Sequence, residues 1–545
     1  MLVSPAAKDS PTVNFLRKAE IGITVTFLTW IIYTIFSEAW ILSSRVAAST
    51  TIDGLEKSSI SSSGYVDLND GQLATFLSNL PALLVFATLF VSGRKLLISQ
   101  KLELKHQLIY YLFIGIGMNI YLHGPGFLFL LFELLFNYLL AYKYAGKRGF
   151  PLLAWAFNFT YLILAEYYHG FQFSWFAPSL KFLDDLPVEM NWSGVNKMCM
   201  LKALSFVLDY HWALSKDDYM PLNKHKLDCN ECNEINVCFT YRMRAHASHY
   251  SLLAYAAYFF YPPLYFAGPT VCYNAWISQV QSPQRSYDTK KLIIYGLRIV
   301  VVFIILELFI HNLYFPAIAG NDKNTWIWES FTPFELVIAS YVILKWIWLK
   351  FTLIWRFFRM WALCDGIETP ENMGRCMSNN YCFEGFWRMW HRAFNQWLIR
   401  YLFVPLGGSK YKIFNIWIVF GFVALWHDLN LNLLVWGWGM CLFIMPEVLV
   451  KSYFQRSKFL NFRKTLKYSW LCAFGGGIYI ILMMAANLVG FSFGVRGLII
   501  VLEEIFTLSG SILLFKVILT ATMATHFMLI VRHQETRCEI KNKGF

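Results

Sequence analysis

Long apolar blocks divide this chain and restrict it to folds that cross a membrane. Of its 545 residues, 57% are hydrophobic and only 15% are charged, whereas a soluble domain carries about 25% charged residues. Each apolar block of about 20 residues is long enough to cross a hydrocarbon core of about 30 Å. The sequence therefore predicts an all-α polytopic membrane protein with about eleven transmembrane helices, together with re-entrant and interfacial helices. The predicted spans lie near residues 21–42, 80–97, 107–122, 126–142, 152–168, 292–313, 336–361, 413–427, 431–450, 470–491 and 511–531.

The charged residues predict how these spans are oriented. The net charge is +13, but the cations cluster in loops and form no basic stripe, which argues against nucleic acid as a partner. Two basic loops lie in the N-terminal third, with Arg94, Lys95, Lys101 and Lys105 in one and Lys143, Lys147 and Arg148 in the other. The positive-inside rule places these loops and the N-terminus in the cytosol, and residues 43–78 on the luminal face.

This orientation predicts a cytosolic tail over residues 1–20, a single multi-span membrane domain over 21–531 and a cytosolic tail over 532–545. Lys541 and Lys543 resemble a cytosolic dilysine retrieval signal, which predicts the endoplasmic reticulum membrane as the location. Asn191 begins a glycosylation sequon on the predicted luminal side, but most such triplets are unused and we give this one little weight.

Two segments depart from the pattern of a plain span. Residues 196–212 have apolar positions at helical spacing with Lys197, Lys202 and Asp209 between them, so we predict a helix in the interface or packed inside the protein. Residues 251–268 contain the pair Pro262-Pro263, which breaks a helix. Because such backbone must be shielded by protein or line a cavity at membrane depth, this segment is a candidate to line a tunnel.

The eleven cysteines are scattered, with one cluster in a polar loop. It consists of Cys229, Cys232 and Cys238, with His225 just upstream. A zinc knuckle uses such residues, but the uneven spacing of the three thiols is a weak signal. We therefore favour ordinary loop cysteines and expect no metal.

A histidine lies inside one of the apolar blocks. Residues 416–438 read IWIVFGFVALWHDLNLNLLVWGW and contain Trp426, His427 and Asp428. An imidazole is costly in apolar surroundings and is the natural proton acceptor for a buried reaction. Asp428 would point about 100° away from His427 on a helix, so it is poorly suited to orient the ring. An interfacial histidine bonded to a carbonyl group remains an open alternative.

A second polar group lies in residues 386–409, which read FWRMWHRAFNQWLIRYLFVPLGGS. On one continuous helix, Trp387, His391 and Asn395 would share a face and Arg388 and Arg392 would form the adjacent row. Pro405 and Gly407-Gly408 predict the end of that helix. Alternatively, the tryptophans form a membrane-interface belt, and the arginines of this region hold lipid phosphates.

These two segments together resemble the membrane-bound O-acyltransferase family. The sequences RFFRMWALCDGIETPENMGRC and LLVWGWGMCLFIMPE are similar to its fungal glycerol-uptake-protein branch, which is related to the hedgehog acyltransferases. The resemblance extends over about residues 242–487 and is strongest over 355–448, which predicts a catalytic core over about 242–490. It implies transfer of an acyl group from acyl-CoA to a hydroxyl or amine inside a tunnel open to both faces. His427 matches the family's near-invariant histidine, and His391 matches a second position that is Asn, Asp or His in different branches.

The resemblance also suggests a role for each polar residue. We expect His427 to be the general base, and His391 and Asn395 to stabilise the carbonyl oxygen. Arg388, Arg392 and Arg400 would face the phosphates of coenzyme A at the cytosolic mouth, and Trp387 and Trp426 would contact the substrate. No cofactor is expected. Cys376 lies where hedgehog-type relatives also have cysteine, and we favour an ordinary buried cysteine there over a haem thiolate.

The branch further implies a lyso-form glycosylphosphatidylinositol (GPI) anchor as acceptor and a very long saturated acyl chain. A proton-coupled glycerol transporter, or a regulator of glycerol uptake, is the alternative of another class. Transporters tend to show inverted repeats, which this sequence lacks. A hedgehog-type protein acyltransferase and a scaffold without activity are further alternatives.

Overall fold

The computed structural model describes residues 11–49, 54–61, 63–215, 221–233, 237–244, 249–320, 328, 330–492 and 494–542. These residues form a helical protein with one small β-hairpin, in which β1 (Leu55–Lys57) pairs antiparallel with β2 (Tyr65–Asp67). The helices are α1 (Pro11–Ser49), α2 (Gly71–Ser99), α3 (Leu104–His123), α4 (Phe127–Tyr144), α5 (Phe150–Tyr167), α6 (Lys181–Asp184), α7 (Trp192–Ser215), α8 (Leu222–Asp228), α9 (Phe239–Arg244), α10 (Leu252–Phe259), α11 (Tyr273–Gln281), α12 (Thr289–Ile310), α13 (Phe315–Gly320), α14 (Pro333–Cys364), α15 (Phe383–Met389), α16 (Arg392–Leu398), α17 (Lys412–His427), α18 (Leu431–Phe454), α19 (Leu466–Phe491), α20 (Gly494–Ile505) and α21 (Leu508–Asn542).

Eight helical stretches among the described residues are long and apolar enough to cross a membrane. They are Ala19–Ala48, Gly71–Ser99, Leu104–Tyr144, Thr289–Ile310, Pro333–Cys364, Leu431–Phe454, Leu466–Phe491 and Leu508–Thr536. The third stretch contains both α3 and α4, which meet at the turn Gly124–Gly126. The predicted spans near 152–168 and 413–427 form helices that fall outside this set. The prediction of a polytopic all-α membrane protein is confirmed, and the count of about eleven crossings stays a prediction.

Helix α7 lies in the interior of the protein. Its residues from Cys199 to Asp209 are at most 4% exposed, and it packs against α4, α5, α10 and α11. Of the two placements predicted for this segment, packing inside the protein is therefore confirmed. The buried ammonium of Lys202 in this helix is stabilised by a hydrogen bond, which it donates to the carbonyl oxygen of Phe259 at 3.0 Å.

The proline pair breaks the next buried segment as predicted. Helix α10 ends at Phe259, and Pro262–Leu264 form a single 3₁₀ turn before the chain reaches α11. Both prolines are buried, so this irregular backbone is shielded by protein. Whether the segment also lines a tunnel stays a prediction.

Polar contacts join the ends of several helices on one side of the protein. We call this side the basic face because it includes both predicted basic loops. Arg94, near the end of α2, lies 3.6 Å from Asp365, just after α14. In the loop between α4 and α5, the N–H of Gly146 donates to His211 near the end of α7 at 2.9 Å. Helix α11 connects these two places, because Asn274 at its start donates to Asp209 and Gln279 near its end donates to the carbonyl oxygen of Glu368.

A buried ion pair stabilises this face. The guanidinium of Arg400 donates to Asp209 through Nε at 3.2 Å and Nη2 at 2.8 Å. The same carboxylate accepts the hydroxyl of Tyr401 at 2.9 Å and the N–H of Asn274 at 3.1 Å. These four hydrogen bonds offset the cost of removing the two charges from water.

We predict that Asp209→Asn lowers the melting temperature of the detergent-purified protein strongly. The variant leaves the buried guanidinium without a counter-charge, and breaking such a pair costs about 3–5 kcal/mol. The matched control is Glu384→Gln, which neutralises a partly exposed carboxylate that pairs with Arg388 and Lys451 and should cost about 1 kcal/mol or less. Melting curves followed by intrinsic fluorescence compare the two, and equal shifts would contradict this account.

Candidate active site

The segment that contains His391 is broken at that residue. Helix α15 ends at Met389, and α16 begins at Arg392. His391 between them has φ 46° and ψ 45°, in the left-handed region. The prediction of one continuous helix through Trp387, His391 and Asn395 is therefore wrong, because the chain reverses direction where that helix would have continued.

The loop before α15 supplies the hydrogen bonds that this break requires. The N–H of Gly374 donates to the carbonyl oxygen of Met389 at 2.9 Å, and the N–H of Arg392 donates to the carbonyl oxygen of Asn372 at 3.1 Å. The side-chain oxygen of Asn372 then accepts the N–H of Ala393 at 3.1 Å. Asn372 thus caps the N-terminus of α16 although it lies in a separate loop. The residue directly before a helix usually has this role.

The parts of this segment before and after His391 form two arms, and the outer end of each arm is held on the basic face. At the first arm, the N–H of Phe383 donates to Glu447 near the end of α18 at 2.8 Å. At the second arm, Arg400 pairs with Asp209 within the π-helical turn Ile399–Phe403. The start of α17 lies at the end of this arm, since Asn415 donates to the carbonyl oxygen of Gly408 at 3.0 Å. Because α17 and α18 pack side by side through a short loop, the end of α18 lies on the same side.

His391 therefore lies at the turn of a helical hairpin that enters the protein and returns. We call residues 383–403 the active-site hairpin. The imidazole of His391 stacks on Trp355 of α14, with ring centroids 4.4 Å apart and an interplanar angle of 16°. Phe394 lies 5.0 Å from the same ring. Aromatic side chains thus fix the orientation of a half-buried histidine.

His427 is the last residue of α17 and faces the same aromatic cluster. Its ring lies 6.1 Å from Trp436 and 5.6 Å from Phe491, edge-on in both cases. Its backbone carbonyl accepts the ammonium of Lys197 at 2.7 Å, and that ammonium is paired with Glu166 at 2.9 Å. Helix α17 is thereby tied to the N-terminal part of α7.

The two histidines meet at one tryptophan. Trp426 lies 5.0 Å from the ring of His427 and 6.4 Å from the ring of His391. The indole N–H of Trp426 donates to the carbonyl oxygen of Lys197 at 3.0 Å, and its ring stacks on Phe394 at 4.5 Å. His427 follows His391 by 36 residues in the sequence, so only the tertiary fold brings them together.

The other predicted polar residues differ in their positions. Asn395 is half-buried one turn after the break, and its N–H donates to the carbonyl oxygen of His391 at 3.0 Å. Trp387 packs against Phe420 and Trp436, with ring centroids 5.5 and 5.6 Å away. Asp428 is exposed, in keeping with the expectation that it does not orient His427.

Of the three arginines expected at a cytosolic mouth, two are exposed. Arg388 is 65% exposed and pairs with Glu384 at 2.8 Å, and Arg392 is exposed at the start of α16. Arg400 is not at an open mouth, because its guanidinium is buried in the ion pair with Asp209. Its positive charge is thus already neutralised by protein.

Cys376 is exposed, so the expectation of an ordinary buried cysteine is wrong. The residue precedes a 3₁₀ turn over Met377–Asn379, and the ammonium of Lys345 lies 3.9 Å from its sulfur. Lys345 also contacts the hydroxyl of Ser378. The sulfur thus has an ammonium group as a neighbour and is exposed, so it does not lie in the enclosed apolar slot that a haem group needs.

Sequence reasoning missed three residues of this site. Trp355 directly precedes the quoted motif that begins at Arg356, but nothing in its spacing indicates that it stacks on His391. Lys197 gave a usable signal, since it is a cation in a mostly apolar helix. Asn372 gave none, because its function depends on a loop that packs against the hairpin break.

Comparisons with known proteins show the family of this chain. A family model described as MBOAT, membrane-bound O-acyltransferase family, matches residues 198–494, which is more than half of the chain and includes both histidines. "Membrane-bound O-acyltransferase gup1" of Schizosaccharomyces pombe is 34% identical over 483 residues, covering 86% of this chain and 81% of that protein. "Membrane-bound O-acyltransferase GUP1" of Saccharomyces cerevisiae is 32% identical, covering 87% and 83%.

A more distant relative is "Protein-cysteine N-palmitoyltransferase HHAT" of Mus musculus, 27% identical over 187 residues, or 33% of this chain and 37% of that protein. The resemblance inferred from the motifs is thus confirmed for the family, for its fungal branch and for the hedgehog-acyltransferase relatives. This chain belongs to the membrane-bound O-acyltransferase family and is an O-acyltransferase.

Proposed function

We propose that this enzyme transfers a long acyl chain from acyl-CoA to a hydroxyl group of a lipid acceptor, with His427 as general base. The observation that carries the proposal is the meeting of His391 and His427 at Trp426, in an aromatic part of the protein. In the described part of the chain, neither imidazole hydrogen-bonds to another side chain. Both rings can therefore bind reacting groups.

The reaction needs a base because alcohols have pKa values far above neutrality. In the proposed step, the acceptor hydroxyl attacks the thioester carbonyl while a ring nitrogen of His427 takes its proton. The carbon–sulfur bond then breaks, and the thiolate of coenzyme A leaves and takes up the proton from the imidazolium. No acyl-enzyme is required. A positioned base contributes about 10²–10⁴-fold to such a rate.

His391 and Asn395 are the proposed donors to the carbonyl oxygen as it becomes negative. His391 is held by stacking on Trp355, so little reorganisation is needed when charge develops. Asn395 lies one turn after His391 along α16. Trp387 and Trp426 would contact the acyl chain or the acceptor as apolar surfaces.

For the donor, we propose that acyl-CoA enters from the basic face and extends along the active-site hairpin to Arg388 and Arg392, which are exposed near its turn. Guanidinium groups bind phosphate oxygens well. Arg400 is assigned a structural role instead, since it is neutralised by Asp209. The basic face would then be cytosolic, and both chain termini would lie in the cytosol.

For the acceptor, we propose a lyso-GPI anchor in the endoplasmic reticulum membrane. The support is the resemblance to the fungal branch, together with the similarity of the gup1 and GUP1 proteins over more than four fifths of this chain. Of the two lysines that resemble a retrieval signal, Lys541 lies within the last described helix and Lys543 lies outside the described residues.

We predict that His427→Ala loses acyl transfer by about 10²–10⁴-fold but folds normally. The test is release of coenzyme A from acyl-CoA by purified protein with a lysolipid acceptor. His106→Ala is the matched control, since His106 is exposed in the first turn of α3. Wild-type turnover by His427→Ala protein would remove this residue from the mechanism.

We predict that His391→Ala lowers the rate by about 10²-fold or more, as expected for loss of one oxyanion donor. His391→Asn should retain more activity, because asparagine tolerates left-handed backbone and supplies an N–H donor. Melting temperatures of both variants separate a fold defect from a lost donor. If Asn and Ala reduce the rate equally while both proteins stay folded, the donor role is contradicted.

We predict that cells without this chain accumulate lyso or shortened GPI anchors. Mass spectrometry of the anchor lipids should show recovery with the wild-type chain and none with His427→Ala at equal expression. In vitro, coenzyme A release should depend on lyso-GPI and not on a peptide with an N-terminal cysteine. Transfer to the peptide, with unchanged anchors in the cells, would favour protein acylation instead.

A further inference from the structure

Four potential metal ligands converge in a polar loop away from the histidine site. The loop joins α8 to α9, and the ligand atoms of His225, Cys229, Cys232 and Cys238 all lie within 4.8 Å of one another. The imidazole Nε2 of His225 is 3.1 Å from the sulfur of Cys238, which is 3.7 Å from the sulfur of Cys229. We propose that these four side chains bind a structural Zn²⁺ ion, contrary to what the sequence alone favours.

The distances suit a tetrahedral site. With Zn–S bonds of about 2.3 Å, two thiolates on one zinc ion lie roughly 3.7 Å apart, which matches the separation of the Cys229 and Cys238 sulfurs. A disulfide would bring two sulfurs to about 2.05 Å, and all three cysteines of the cluster are free of disulfides. A Cys₃His set is also a common ligand set of structural zinc.

Local structure explains why these residues converge despite their uneven spacing. His225 lies on α8, and Cys229 follows it by four residues at the end of that helix, so both lie on one face. Cys232 comes three residues later in the turn. Cys238 immediately precedes α9 and is buried against the loop.

Backbone N–H groups surround the sulfurs as they do in known zinc sites. The N–H of Cys238 donates to the sulfur of Cys232 at 3.2 Å, and the N–H of Tyr241 donates to the sulfur of Cys238 at 3.3 Å. Such contacts stabilise thiolates and orient metal ligands. The ring of Tyr241 also packs against the imidazole of His225, with centroids 5.1 Å apart.

The position of the loop decides between a metal and a disulfide. Arg242 of α9 donates to the carbonyl oxygen of Ser282 at 3.0 Å, and the N–H of nearby Gln284 donates to the carbonyl oxygen of Gly366. The loop therefore lies on the basic face, which we assign to the cytosol. Cytosolic thiols stay reduced, so three thiolates are available to the ion.

The four ligands fill a tetrahedral coordination shell, which is the pattern of structural rather than catalytic zinc. The ion would join α8 to α9, and α9 packs on α11. Because metal affinity contributes directly to folding of small loops, the ion would fix this loop on the basic face. The inference does not depend on the identity of the acceptor or on His427.

The test is the zinc content of the full chain, purified in detergent under reducing conditions without chelator. Inductively coupled plasma mass spectrometry should find about one zinc per chain. Cys232→Ala and Cys238→Ala should fall to background, whereas Cys232→His should keep the metal because it keeps a ligand. Cys472→Ala is the control, since Cys472 is a half-buried thiol in α19 outside the cluster.

Three results would overturn the proposal. The first is wild-type protein that carries no zinc and shows no thiolate-to-metal absorption when Co²⁺ is added. The second is zinc that persists in Cys232→Ala. The third is a disulfide among the three cysteines, found by alkylation and mass spectrometry of the unreduced protein. If the alanine variants do not fold, the Co²⁺ spectrum of the wild type and the zinc content of Cys232→His still decide.

Discussion

Inside a membrane protein, backbone N–H and C=O groups must find partners within the protein, because water is scarce there. The break at His391 interrupts a helix in the interior and creates this demand. The loop with Asn372 and Gly374 meets it, through three hydrogen bonds to Met389, Arg392 and Ala393. The proposed role of His391 follows from this arrangement. Without the break, His391 would continue along a helix, and nothing would direct its ring towards Trp355 and Trp426.

Two ion pairs lie at the two ends of the site, and aromatic rings lie between them. Lys197 and Glu166 hold the carbonyl end of α17 beside His427, and Arg400 and Asp209 hold the far end of the second hairpin arm. Each ion is paired with a counter-charge, as burial requires. The rings of Trp355, Phe394, Trp426 and Trp436 lie between them. Apolar surroundings of this kind disfavour water, which suits a thioester that would otherwise hydrolyse.

The sequence predicts the larger features of this protein because they depend on composition and local pattern. Apolar block length predicts the spanning helices, interleaved charge predicts the interior position of α7, and a proline pair predicts the break after α10. The motifs predict the family and the two histidines. The hairpin break is missed, since the residues around His391 are good helix formers locally, and the partners that favour the break lie in the separate loop at 372–374. The prediction of Arg400 at an open mouth is wrong for a related reason, because its partner Asp209 lies in a helix that is distant in the sequence.

Helix α11 connects the site to the cysteine loop, and this connection limits what each part can do alone. At its start, Asn274 shares the carboxylate of Asp209 with Arg400 of the active-site hairpin. Helix α11 also packs against α9. Arg242 of α9 donates to the carbonyl oxygen of Ser282, which lies just after the end of α11. A rigid cysteine loop would therefore hold α11 in place, and α11 would hold the anchor of the second hairpin arm. Because a displacement of about 1 Å in a supporting element can cost a large factor in rate, a structural metal in this loop would affect acyl transfer without touching either substrate.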